Sequence, residues 1–281
     1  MESGNQSSSH WAHHPIDAFV QRAREQNGLN AVEHADRRTL IRRATFDLTG
    51  LPPTPDEIRQ FVEDSSAAAF EKVIDRLLSS REYAERWGRH WLDVARYADT
   101  AGDGSDYPVR EAALYRDWVI DSFQQDQPFF DFVREQIAGD ILARSGPREK
   151  YASRVTATGF LAIGKRYGYK ASPDYQYLDF ADVIDSVGRS LLGLSLGCAR
   201  CHDHKYDPIS AADYYAWYGI MQSTQWAFPG GEEQKRPAHF PPLVPGDELA
   251  TLEKAHGNGD EAEKLISEVL SANKDFMPAV E

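Results

Sequence analysis

"SSREYAERWGRHWLDVARYA", residues 79 to 98, is the stretch that decides the fold. Ser79 and Glu82 stand three apart, the spacing at which a serine and an acid satisfy each other's orphan amides at a helix start. Behind them Trp87, His90, Trp91, Val94 and Ala98 recur on one helical face, with Arg86, Arg89, Asp93 and Arg96 on the other. The pattern predicts an amphipathic helix with its aromatic face, His90 included, turned to a core.

Outward from this stretch the same signals repeat. In "TPDEI" (Thr54 to Ile58) Thr is the cap, Pro takes the first helical position and Glu57 reaches back, which opens a helix to about Val62. Helical spacing also covers Pro15 to Gln26, Arg37 to Phe46, Ala67 to Leu78, Ala112 to Phe123, Pro128 to Leu142, Asp179 to about His202, Ala211 to Met221 and Glu248 to Ala272. Period-two alternation with hairpin turns is missing. The expected fold is mainly α, a bundle-like domain of many helices with long loops.

Connections show as clusters of turn formers. "DLTGLPPT" (Asp47 to Thr54) is a Gly-Pro turn, "ADTAGDGSDYP" (Ala98 to Pro108) a long polar loop, and 229–247 a Pro/Gly-rich linker. The expected organisation is a flexible leader over 1–14, a helical domain over 15–228, the linker, and an amphipathic helix and tail over 248–281. That last helix either packs on the body or leads into a further C-terminal domain.

The chain has 281 residues, 41% hydrophobic and 27% charged, enough to bury a full core. A net charge of −13 argues against nucleic acid as a partner, since phosphate binding needs the opposite sign. The arginine-rich Asp36 to Arg43 therefore reads as a solvated helix face. The longest apolar run, "LLGLSL", is six residues, far short of a membrane span. The first ten residues lack the positive start and apolar stretch of a secretory signal, so export is inferred from other residues.

The chain's only two cysteines lie in "GCARCHDHKYDP", residues 197 to 208. Cys198-Ala199-Arg200-Cys201-His202 is C-x-x-C-H, the attachment sequence of c-type haem. Two thiols at that spacing add to the two vinyl groups of one porphyrin edge, and the next imidazole serves as proximal iron ligand. Phe180, Ile184, Val187, Leu191, Leu194 and Cys198 recur at helical spacing, and continuing the stripe through Cys201 and His202 would bring thiols and imidazole out of one apolar face at the end of a late helix. Pro208 ends that helix and Ser210 with Asp213 caps the next. A redox dithiol would normally sit in a βαβ context, which is missing. Structural zinc held by Cys198, Cys201, His204 and one further ligand is the other reading.

A haem raises further expectations. The candidates for a sixth iron ligand are His90, whose plainer reading is a buried structural histidine, and Met221, whose plainer reading is core packing. His204 is too close to His202 to reach across the iron. Propionates need cations, and Arg200, Lys205, Arg96 and Arg110 are the candidates. Asp99, Asp103 and Asp106 among glycines are a set that can hold calcium, although the spacing is not that of an EF-hand and a solvated acidic loop is the simpler view. A proton-relay carboxylate is a further reading of the same loop.

The blocks "DRRTLIRRATFDLTGLPPTPDEI" (36–58), "RWGRHWLDVARYADT" (86–100), "YRDWVIDSF" (115–123), "FVREQIAGDIL" (132–142), "ATGF" (157–160) and "GCARCHDHKYDPISAADYY" (197–215) run in order over most of the chain. With them the chain resembles the planctomycete-specific cytochrome c domain family, the second of that group, a domain of unknown function with a C-x-x-C-H motif. The resemblance implies large exported bacterial proteins in which this domain follows a cytochrome c domain and precedes a second domain of unknown function. It implies no reaction. The expected function is an exported, periplasmic mono-haem electron carrier working with a redox partner protein or fused cytochrome domain. A haem-dependent oxidoreductase with an open distal side, acting on carbohydrate, and a zinc-stabilised interaction module are the alternatives.

Overall fold

Side chains that accept from free backbone amides set the helix starts in the N-terminal part. The computed structural model describes residues 14–30, 32–102, 107–167, 173–228 and 238–256. Helix α1 (Pro15–Gln26) is closed by a reciprocal box between His14 and Asp17, yet buries none of its residues. Helix α2 (Arg37–Thr49) is capped by Asp36, whose carboxylate accepts from the Thr39 amide at 3.0 Å, and ends at Gly50 in the left-handed region. Helix α3 (Pro55–Glu63) opens on the expected Thr54/Glu57 box, and α4 (Ala69–Leu78) follows. These three helices bury Ile41, Ala44, Phe61, Ala69, Val73 and Leu77 against one another. Arg38, Arg42 and Arg43 are solvated as expected. Arg37 is not: it lies over the Phe61 ring at 4.1 Å and donates to the carbonyls of Phe61 and Asp64, tying α2 to α3.

Helix α5 (Arg81–Val94) corrects the reading of the opening stretch. Its cap is Ser80 rather than Ser79, and it stops at Val94 because Arg96 adopts a φ of 55°. The inward face carries Ala84, Gly88, Trp91 and Leu92, with buried Ala95 just beyond, while Trp87, His90 and Val94 are exposed. Small residues set this register, because they let α6 (Ala112–Gln124) come close: a Cβ on Gly88 would stand 3.3 Å from Ile120. Weighting the pattern by its aromatics rotated the helix, so His90 faces solvent against the Trp87 ring, 5.4 Å away, and not the core.

The main core joins α5 and α6 to α7 (Phe129–Ser145), α8 (Tyr151–Ala157), α9 (Gly159–Ala162), α10 (Pro173–Val187) and α11 (Ala211–Gln222). Trp91 Nε1 and the Tyr115 hydroxyl both donate to Gln136 Oε1, at 2.9 and 2.6 Å, so the polar atoms at the centre of the aromatic cluster are satisfied. Helix α7 bends at Ala138, and Arg154 from α8 braces the bend by donating to Leu142 O at 2.9 Å and pairing with Glu135 at 3.2 Å. Among the described residues there is no strand, only two isolated antiparallel pairings, Thr100 with Pro108 and Phe228 with Ala238.

The second pairing returns the chain to the body after 229–237, which lie outside the described residues, as do 1–13, Asp103, Asp106 and 257–281. Helix α12 (Gly246–His256) then meets the body through a bidentate pair between Glu248 and Arg148.

Two glycines test this packing in opposite directions. A Cβ on Gly139 would stand 2.0 Å from the Arg154 carbonyl, whereas one on Gly219 in α11 meets nothing within 4 Å. Gly139→Ala is expected to lose about 1–3 kcal/mol by overpacking, and Gly219→Ala to gain about 0.4–1 kcal/mol by restricting the unfolded chain. Denaturant titration of both variants reads the signs directly.

Candidate functional site

The cysteine motif is placed by a reversal after α10. The helix widens into a single loose turn over Gly188–Leu192, reverses at Gly193 (φ 65°), and re-enters a tight helical turn over Leu196–Arg200. Gly193 takes the left-handed conformation at little cost. Leu194 N bonds Gly188 O at 3.0 Å, and Asp185 Oδ1 of α10 accepts from Gly197 N at 3.3 Å. Leu196 and Ala199 thereby go into the core, and Cys198, Cys201 and His202 come out to solvent. The expected continuous helix through His202 is therefore corrected, as is its stripe. Ile184 and Val187 are buried and Leu191 and Leu194 pack on the core, but the stripe ends there because the chain reverses at Gly193 and Leu196, not Cys198, is the next residue to enter the core.

Both thiols are free and exposed on one short turn. The imidazole beside them is oriented. His202 Nδ1 lies 2.8 Å from the carbonyl oxygen of Asp203. A carbonyl only accepts, so Nδ1 carries the proton, and the neutral ring keeps its lone pair on Nε2.

The loop after the motif is wired from within. His204 Nδ1 accepts from the amides of Tyr206 (3.3 Å) and Asp207 (2.8 Å), and its own amide donates to Ile209 O at 2.8 Å. Asp203 Oδ1 accepts from the Ala211 amide at 2.8 Å, adding a second cap to α11 beside the Ser210/Asp213 box. The Ser210 amide, then its hydroxyl, hold the Asp213 carboxyl below its ordinary range. Behind the motif, the Tyr215 hydroxyl donates to Arg200 O at 3.2 Å, and the Arg200 guanidinium lies 5.7 Å over the Tyr177 ring. Lys205 stands over Tyr206 at 5.1 Å. Tyr177, Tyr206 and Tyr215 are all exposed, so the thiols open onto a surface bordered by aromatic rings and two cations.

Other sequence-predicted residues are scattered. Met221, on the same helix as Tyr215, is buried in the main core, and its carbonyl accepts from Trp226 Nε1 at 2.8 Å. His90 is on α5, which packs against α2, α4 and α6. Arg96, a candidate cation for a propionate, pairs with Asp182, its Nε 2.5 Å from the carboxylate. Arg110 is exposed just ahead of α6. Asp99 accepts from the Tyr97 hydroxyl at 2.5 Å, while the other two carboxylates of the calcium reading lie outside the described residues. No three His, Cys, Asp or Glu side chains converge on a metal position among the described residues, and His204, named in the zinc set, accepts from two amides on Nδ1. The roles of Asp203, His204 and Tyr215 were missed; the signal for the first two was their position in a short polar run ahead of Pro208 and a capping box.

With this geometry in place, comparison with known proteins adds one finding. A family model described as PSCyt2, protein of unknown function (DUF1549), matches residues 15–226. No curated protein and no solved structure matches.

Replacing His204 tests the wiring. His204→Ala leaves the amides of Tyr206 and Asp207 without their side-chain acceptor, at an expected cost of about 0.5–1.5 kcal/mol. Amide hydrogen exchange is expected to speed up at those two residues, with little change in α2 to α4.

Proposed function

The chain belongs to the PSCyt2 family, a family of unknown function, and from its motif we propose that it carries one covalently bound c-type haem and passes electrons. The observation that supports this most is the joint state of three side chains: Cys198 and Cys201 are free and exposed on one turn, and His202 beside them turns Nδ1 to a backbone carbonyl, which leaves Nε2 as the ring nitrogen facing away from it. This donor set fits haem c. Cys198 and Cys201 would bind its vinyl edge and His202 its iron. The Nδ1 hydrogen bond to Asp203 O would fix the ring's orientation and raise its basicity as a ligand. The bound group supplies one-electron redox chemistry, whereas the chain supplies attachment, orientation and the aromatic border of Tyr177 and Tyr215.

In this reading Arg200 and Lys205, beside the thiols, are the propionate-facing cations. Because haem is attached to such cysteines outside the bacterial cytoplasm, the proposal carries a periplasmic location, and a redox partner protein or fused cytochrome domain as the electron donor or acceptor. Among the described residues no helix is long and apolar enough to cross a membrane. The sixth position distinguishes the carrier from a second reading. Met221 is enclosed and His90 stands on a helix packed against α2, α4 and α6, which favours a site left open to a small ligand and hence a haem-dependent oxidoreductase.

Co-expression with the haem-attachment machinery is expected to yield a pyridine haemochrome spectrum of c type that survives acid-acetone extraction. Cys201→Ala is expected to lose the extraction-resistant haem, and His202→Ala to keep it with altered ligand-field bands. Absence of the adduct from the unaltered chain, or a fully loaded and resistant adduct in Cys201→Ala, would overturn the proposal. Five-coordinate ferric iron that binds small ligands would select the oxidoreductase reading.

A further inference from the structure

With 44 acidic against 31 basic residues, an arginine of this chain finds a carboxylate easily, and Arg59, Arg76, Arg81, Arg116, Arg134 and Arg154 each pair with one. Arg38, Arg42 and Arg43 on α2, and Arg86 and Arg89 on α5, do not. No carboxylate of the described residues lies within 4.0 Å of any of these five. Arg86 Nε is, in addition, buried with no hydrogen-bond partner among the described residues.

The unpaired arginines are placed together by the packing of α2 on α5. Arg38, Arg42, Phe46 and Gly50 follow one another at steps of four and so share one side of α2. Arg42 lies over the Phe46 ring at 5.0 Å. At Gly50 the line meets α5, where a Cβ would stand 2.5 Å from Arg86 Nη1. Arg89 stands nearly one turn further along α5. From Arg38 to Gly50 the stripe spans about 18 Å. Two exposed apolar side chains adjoin its far end: Leu51, next to Gly50, and Trp87, next to Arg86. Trp87 Nε1 is spent on the Leu48 carbonyl at 3.2 Å, so what the ring offers outward is apolar surface.

Like charges held together without counter-charges work against the folded state. Arginine and tryptophan are also the side chains most enriched where proteins bind one another. A net charge of −13 weakens the pull of this stripe on any anionic partner at long range, so a partner has to gain from close contact. Carboxylates on the guanidinium forks together with apolar side chains on Trp87 and Leu51 supply that contact. A polymer read by its phosphates or sulfates leaves the apolar part unused.

We propose that the stripe formed by Arg38, Arg42, Arg86 and Arg89 is a docking surface for a partner protein that presents an acidic segment interleaved with apolar side chains. None of its residues belongs to the cysteine motif, and the proposal is independent of haem attachment.

The test uses the full chain without haem and two fluorescein-labelled peptides of equal charge, one built of Glu and Leu, the other with Ser in place of Leu. Fluorescence anisotropy is expected to show saturable binding of the Leu peptide, weaker at higher salt, and weaker binding of the Ser peptide. Arg42→Glu combined with Arg89→Glu, two exposed side chains with no ion pair to lose, is expected to reduce affinity for the Leu peptide by about tenfold or more. Arg134→Glu combined with Arg144→Glu makes the same change of net charge elsewhere and is expected to alter it by less than about twofold. Absence of saturable binding, or equal weakening by the two double variants, overturns the proposal. So does equal affinity for the two peptides, or tighter binding of heparin or a DNA duplex than of the Leu peptide. A dimer in sedimentation that Arg42→Glu with Arg89→Glu dissolves would assign the face to a second copy of this chain and overturn it as well.

Discussion

The contact between Gly188 and Leu196 is the constraint on which the candidate site depends. A Cβ on Gly188 would stand 2.6 Å from the Leu196 side chain and 2.8 Å from the Leu194 carbonyl, so only a bare backbone lets the chain fold back on α10 at this point. Leu196 then enters the core beside Gly188, and the turn it anchors carries Cys198 and Cys201 on its exposed side. Burial of one leucine and exposure of two thiols are thus one event. The apolar area gained by Leu196, on the order of 1.5–3 kcal/mol for a side chain of that kind, works against any rearrangement that would draw the cysteines inward.

Once the motif is outside, its order has to come from hydrogen bonds rather than packing. Exposed turns fray unless their backbone groups are paired. Here Asp185 holds the front of the motif through Gly197 N, Tyr215 holds its middle through Arg200 O, and Asp203 and His204 tie its end to the start of α11. The two histidines divide the work by tautomer and position. His202 is exposed and donates from Nδ1, leaving Nε2 outward, whereas His204 accepts on Nδ1 and is spent on the backbone. Two residues apart, one is free for ligation and the other is architecture.

Much of the fold was legible where local chemistry decides it. The Thr54/Glu57 and Ser210/Asp213 boxes fix helix starts without help from the rest of the chain, and α1 runs over the residues its periodicity marks. Reading failed where tertiary contacts outweigh pattern. Trp87, His90 and Trp91 recur on one face of the expected helix, but Ala84 and Gly88 set the register by letting α6 approach. Helices α8 and α9 lack a side-chain cap and form against the bend of α7. The break after Val187 depends on Gly188 meeting Leu196, a contact that no count of apolar residues contains. Of the candidate site, the thiols and the adjacent imidazole were readable as a motif, while the groups that hold them were not, because their partners are backbone atoms.

The charges of helix α10 explain how it holds its depth in the fold. Asp179 and Asp182 face Arg166 and Arg96 in partly buried pairs, and Asp185, on an adjacent face, takes Gly197 N and pairs with Arg189 at 2.8 Å. A buried ion pair contributes little net stability, but removing one partner leaves a charge stranded, so such pairs penalise displacement more than they reward formation. Sliding α10 by one turn would separate Arg96 from Asp182 and, by the same motion, take Asp185 from the motif. These partly buried charges therefore fix the rail along which Cys198, Cys201 and His202 are set, and the position of an exposed turn is determined by ion pairs on the helix before it.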